Sequence, residues 1–176
     1  MSLLRDVVAT LEAETIQYAL IGAAALAVHG VSRSTADVDL FTVDARALGT
    51  ALWVGYQQRG IALRLLKGDR EDPLAGSVRL VDGTQVVDVV VGRYAWENEQ
   101  VTVAVRRSIG ELELPVLQPA GLMLLKLHAA GPKDAWDIQA LLEIAEDRST
   151  LIDEVERTLP QLPADARQLW SRIRAD

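Results

Sequence analysis

The 176-residue sequence contains no cysteine and only two histidines, His29 and His128. Disulfides, thiolate metal sites and cysteine nucleophiles are thereby excluded, and two histidines alone cannot build a histidine-rich zinc site. Long apolar runs are missing too. No stretch approaches the length of a membrane span, and Met1-Ser2-Leu3-Leu4-Arg5-Asp6 lacks a basic region followed by an apolar signal segment, so a cytoplasmic protein without membrane contact is expected. Positive charge is scarce, with 18 Lys and Arg against 25 Asp and Glu and a net charge of -7. A broad electrostatic grip on nucleic acid needs phosphate neutralisation that this balance does not offer, although it leaves room for a local basic cleft. The length suits one compact domain with a proper core, and neither a repeat nor a linker interrupts it.

Against that background Ser32-Arg33-Ser34-Thr35-Ala36-Asp37-Val38-Asp39-Leu40-Phe41 stands out, because it sets two carboxylates two residues apart in a hydrophobic run. On a strand Asp37 and Asp39 share one face while Val38 and Leu40 take the other. At a separation of about 6 Å and an effective dielectric of ~20 they repel by about 3 kcal/mol, unless a cation lies between them. Oxygen-only ligands favour a hard ion such as magnesium, which commonly takes one or two carboxylates together with substrate phosphates. An isolated pair of aspartates at a strand end has a plainer reading as solvated surface charge, so the rest of the chain must decide.

Residues 3 to 14 have helical spacing, with Ser2 as candidate N-cap. Ile16 to Ile21 reads as a strand, and Gly22-Ala23-Ala24-Ala25-Leu26-Ala27-Val28-His29 as a small-residue helix ended by Gly30. A glycine at such a join either allows tight packing or lets the backbone approach a phosphate. A strand over 36 to 42 carries the aspartates, a helix over Asp44 to Gln57 is closed by Gly60, and Ile61 to Leu66 is a further strand. Asp82-Gly83 predicts a hairpin in which Thr84 to Val91 returns antiparallel to Ser77 to Val81. The returning strand places Asp88 with Val86 and Val90, opposite Val87, Val89 and Val91. An aspartate in an apolar strand either caps a local network or serves as a third ligand, and the ligand reading is preferred.

Gln100 to Val105 and Glu111 to Leu117 are predicted as short strands. Pro119 opens a helix that stops near Gly131-Pro132 and carries Lys126 among leucines, either as a rim lysine or aimed at a cleft. The next helix opens at Pro132. It groups Lys133, Asp134 and Asp137 on one face, which a helix-start salt bridge explains adequately. Ser149 to Leu159 and Ala164 to Ile173 complete the helical tail. Trp53, Trp96, Trp136 and Trp170 are assigned no role, and His29 and Arg33 are read as framework around the site.

In this order and spacing, Ile21-Gly22-Ala23, His29-Gly30, Arg33 to Leu40, Asp88, Lys126, Lys133-Asp134 and Asp137 resemble a minimal nucleotidyltransferase of the polymerase-β type, specifically the AbiEii-like toxin nucleotidyltransferases. The resemblance implies an α/β (α+β) fold, with a mixed sheet flanked by helices in a core over 1–117 and a C-terminal helical segment over 118–176 packed on it. It implies that Asp37, Asp39 and Asp88 are catalytic and hold one or two Mg2+ ions, and that Gly22 and Ala23 form the turn over a triphosphate. Lys126 and Lys133 would bind nucleotide, with Asp134 and Asp137 supporting the cleft. Relatives commonly have Gly-Gly or Gly-Ser at the turn where this chain has Ala23, and an arginine where it has Gly131.

The expected reaction moves a nucleoside monophosphate from an NTP, ATP among them, to an acceptor hydroxyl: a tRNA end, a protein hydroxyl or a small molecule. The enzyme is expected to be a toxin with a cognate antitoxin. The alternative is a catalytically impaired relative that binds a nucleotide or a partner.

Overall fold

In the computed structural model, residues 2–32, 37–131 and 133–175 are described. The chain opens with α1 (Leu3–Ala13), whose Leu3, Val7, Val8 and Leu11 are buried, followed by β1 (Ala19–Ile21) and α2 (Gly22–Val28). Ser2 occupies the N-cap of α1, without a side-chain cap bond. Next come β2 (Asp37–Thr42), a 3-10 turn (Ala45–Leu48), α3 (Thr50–Gln58), β3 (Ala62–Lys67), β4 (Gly76–Asp82) and β5 (Gln85–Val91). The single helix expected over 44–57 is thus two pieces, divided at Gly49, whose extended backbone (φ -77°, ψ 121°) interrupts the helical run.

A second departure bears on the site. Of residues 100–105, expected as a strand, 100–104 lie in α4 (Ala95–Thr102) and the turn after it, and the strand β6 begins only at Val105 (Val105–Ile109). The alternation of Val101, Val103 and Val105 imitates a strand. Trp96 and Val101 instead bury one side of a helix, while Val103 is exposed. β7 (Leu112–Val116) is followed by α5 (Pro119–Ala129), α6 (Asp134–Ile144), α7 (Arg148–Thr158) and α8 (Ala164–Ala175). None of the described helices is long and apolar enough to cross a membrane.

The strands form one mixed sheet in the order β3-β4-β5-β2-β1-β7-β6. The hairpin predicted at Asp82-Gly83 is present: Gly83 takes φ +57°, and β4 and β5 pair antiparallel from Asp82↔Gln85 to Gly76↔Val91. Parallel pairing of β2 with β5 then sets Asp39 beside Asp88. Leu40, Val87, Val89 and Val91 are fully buried on the face turned away from these carboxylates, and α1 packs on β5. On the carboxylate face lie α2 and α4, both against β2, with α5 bridging them. One apolar cluster runs from Leu3 to Ile173, so the C-terminal helices share the sheet's core. The result is an α/β (α+β) mixed sheet flanked by helices.

Candidate active site

The sheet register assembles the site. Ile21, Asp39, Asp88 and Arg79 are successive cross-strand neighbours on β1, β2, β5 and β4, and therefore form one row on one face. Asp37 stands one pleat away on the same face of β2. The guanidinium of Arg79 spans two of the carboxylates, with Nη1 donating to Asp88 Oδ2 at 2.7 Å and Nη2 to Asp37 Oδ2 at 2.6 Å. Sequence reasoning missed Arg79. The hairpin register could have found it, because any pairing that puts Asp82 opposite Gln85 also puts Arg79 opposite Asp88.

Asp39 lies deeper. Its carboxyl is pushed up to about 6, first by burial and then by the charges of Asp88 and Asp37, with Arg79 and Lys126 pulling the other way. Burial also raises Asp88, against the opposing pull of Arg79. Gly22 explains how this half-buried carboxylate fits: a Cβ at this position would lie 2.1 Å from Asp39 Oδ2, and its φ of +66° suits glycine. Ala23 follows within the first turn of α2. His29 serves as framework, its Nε2 donating to Leu117 O at 2.8 Å and tying α2 to the end of β7. Arg33 lies outside the described residues.

Lys126, from α5, is largely buried and reaches across to α6. Its Nζ donates to Asp137 Oδ2 at 2.5 Å and to Asp134 Oδ1 at 3.2 Å. The cation joined to both carboxylates is thus Lys126, whereas Lys133 stands exposed at the N-cap of α6. Gly131 has a local reason. Its N–H donates to Asp134 Oδ2 at 2.7 Å, and a Cβ there would come within 2.8 Å of the same oxygen.

Three in-register aspartates offer hard oxygen donors, the donor set expected for a divalent ion. Among the described residues no three acidic or histidine side chains converge on a common point as they stand. Arg79 supplies the positive charge between Asp37 and Asp88, so an ion held by all three requires that guanidinium to move aside. Adjoining the site is a cavity of about 350 Å3 whose lining includes Gly22, Lys126 and Asp134.

Among solved structures, the chain is similar to ANT(2")-Ia in complex with adenylyl-2"-tobramycin, at 14% identity and TM-score 0.50, covering 98% of this chain and 95% of that one. It is also similar to the lincosamide antibiotic adenylyltransferase LnuA in its lincomycin-bound form, at 14% identity and TM-score 0.50, covering 81% of this chain and 96% of that one. At such identity the likeness carries the fold. No curated protein sequence matches the chain significantly. Residues 3–168 match the family described as "Nucleotidyl transferase AbiEii toxin, Type IV TA system", and on that match, with the acidic row in place on a nucleotidyltransferase fold, the chain belongs to the AbiEii family of nucleotidyltransferases.

Proposed function

We propose that the protein transfers a nucleoside monophosphate from an NTP to an acceptor hydroxyl in a magnesium-dependent reaction, acting in the cytoplasm as the toxin of a toxin–antitoxin pair. The observation that carries this reading is the row in which Asp39 and Asp88 are direct neighbours, with Asp37 beside them. Asp37, Asp39 and Asp88 are the residues that would hold one or two Mg2+ ions. When bound, such an ion withdraws charge from the phosphoryl oxygens and neutralises the leaving pyrophosphate.

The remaining work falls to the chain's own groups. The acceptor oxygen bonds to the α-phosphorus, the bond from that phosphorus to the bridging oxygen breaks, and pyrophosphate leaves with the electron pair. Asp88 either holds a second ion or, where it stays off the metal, takes the acceptor's proton, its carboxyl raised by burial. Lys126, fixed by Asp134 and Asp137, faces the triphosphate, and Gly22 with Ala23 lets the backbone approach it. Lys133, exposed at the rim, contributes charge to the incoming nucleotide.

The family description supports an antitoxin partner. The two antibiotic-modifying neighbours make a small-molecule hydroxyl one acceptor to test, alongside a tRNA end and a protein hydroxyl. The test is transfer of label from each α-labelled NTP with Mg2+, offered RNA, protein and small-molecule pools in parallel. Label is expected in one pool and lost in Asp37→Asn/Asp39→Asn. Tight nucleotide binding without label in any pool would favour a binding module instead.

A further inference from the structure

Past the acidic row, the same sheet face forms the floor of the 350 Å3 cavity. Phe41 and Val90, both lining it, lie two residues beyond Asp39 and Asp88 on paired strands, a step of roughly 7 Å. Gly22 and Lys126 belong to both spaces, so a molecule in the cavity can keep one end on the carboxylates. The opposite wall comes from α4 and α5, and Leu74 closes one side. Most of the lining is apolar.

Besides Lys126 and Asp134 at the end near the carboxylates, two polar groups break that pattern. Glu97 is fully buried, and its Oε2 accepts from Arg93 N at 2.7 Å and Tyr94 N at 2.8 Å, closing the start of α4. Its Oε1 has no partner among the described residues, and neither has either ring nitrogen of His128. The imidazole is held edge-on by Tyr94 and Trp96, with ring centroids 5.2 and 5.6 Å away. Capping the helix requires only one carboxylate oxygen. The second, buried beside a cavity, is open to a donor from a ligand; burial raises the Glu97 carboxyl, while the bonds from Tyr94 N and Arg93 N and the charges of His128 and Arg93 draw it back down.

A ligand that suits this space has an apolar body, an N–H for Glu97 and a negatively charged end reaching Lys126. We propose that the cavity seats the base of the nucleoside triphosphate, and that Glu97, with His128 beside it, favours bases carrying an exocyclic amine. This inference rests on the nucleotidyl-transfer reading and adds to it the location and selectivity of the base. An amine offers its N–H to Glu97 Oε1 unobstructed. Uracil offers its one free N–H between two carbonyl oxygens, which a carboxylate repels.

The test is calorimetric binding of the α,β-methylene analogues of all four NTPs, with Mg2+, beside inorganic tripolyphosphate as the base-free probe. Amine-bearing analogues are expected to bind about tenfold tighter than the uridine analogue, the scale of one charge-assisted hydrogen bond. In Glu97→Gln the side-chain carbonyl retains the helix cap and the amide NH2 faces the cavity, so this preference should collapse or invert while tripolyphosphate binds as before. Leu125→Trp, which fills the cavity, should weaken every nucleotide analogue and spare tripolyphosphate. Unchanged nucleotide affinities in both variants, with normal thermal unfolding, would overturn the inference and leave the transfer reading standing. Failure of the wild type to bind either nucleotide or tripolyphosphate would overturn both.

Discussion

At the scale of single residues, the site depends on how negative charge is tolerated before substrate arrives. Asp37 and Asp88 are spanned by Arg79, while Asp39 is half-buried with a raised pKa and has Gly22 against its oxygen. If Arg79 competes with a divalent ion for these carboxylates, Arg79→Gln should bind Mn2+ about tenfold more tightly without nucleotide, as titrated by electron paramagnetic resonance. Equal or weaker affinity would show that the guanidinium and the ion do not share the space. Gly22→Ala adds a methyl group where Asp39 Oδ2 already lies and forces alanine to φ +66°. We expect a loss of about 1–2 kcal/mol of stability from the backbone strain and loss of most transfer activity, read by thermal unfolding and label transfer on one preparation. Full activity would mean that Asp39 need not stay where it is. These contacts were unevenly legible in the sequence. The spacing of Asp37 and Asp39 shows directly, and Gly22 is visible as a join, but its contact with Asp39 depends on where α2 folds back. Gly131, which reads in sequence as a lost arginine, is occupied by its own bond to Asp134.

At the scale of elements, the hairpin and most helices follow from local signals: Asp82-Gly83 for the turn, Pro119 for the start of α5, and apolar periodicity for α1 and α8. α4 does not. Val101 at its end alternates with Val103 and Val105 beyond it like a strand, and its start depends on Glu97 reaching back to the N–H groups of Arg93 and Tyr94, a signal obscured because tyrosine is an uncommon residue at a helix start. Glu97 lies before the stretch that imitates a strand, and no local pattern marks it as a cavity residue. α7 has the conventional signal in Asp147, which accepts from Thr150 N at 3.0 Å and from the hydroxyls of Ser149 and Thr150 at 2.7 Å each. These bonds lower its carboxyl from 3.8 to about 2. Because the folded value is depressed, the unfolded chain takes up this proton first: the stabilisation is present above 3.8 and is lost as pH falls towards 2. Asp147→Asn should therefore unfold at a lower temperature than wild type at neutral pH, with the difference shrinking as pH falls through that window. A pH-independent difference would contradict this account of the cap.

At the scale of the whole molecule, function depends on pairings that no local pattern encodes. Parallel alignment of β2 with β5 brings Asp39 and Asp88 together across 49 positions of chain (88 − 39), and β4 adds Arg79. Packing of α5 onto α2 and α4 then lowers Lys126 and His128 over the same face. The sequence shows which groups carry chemistry, and the resemblance shows which fold could gather them. The register supplies Arg79, and the helix packing supplies the cavity beyond it. The central claim is that this assembly moves the α-phosphoryl group with its nucleoside attached, rather than a terminal phosphate. The most direct measurement is parallel transfer from α-labelled and γ-labelled NTP to the same acceptor pool, with Asp39→Asn as control. Label from the α position should reach the acceptor, and label from the γ position should appear only in pyrophosphate, both lost in the variant. Acceptor labelled from the γ position would contradict the account and make the protein a phosphotransferase.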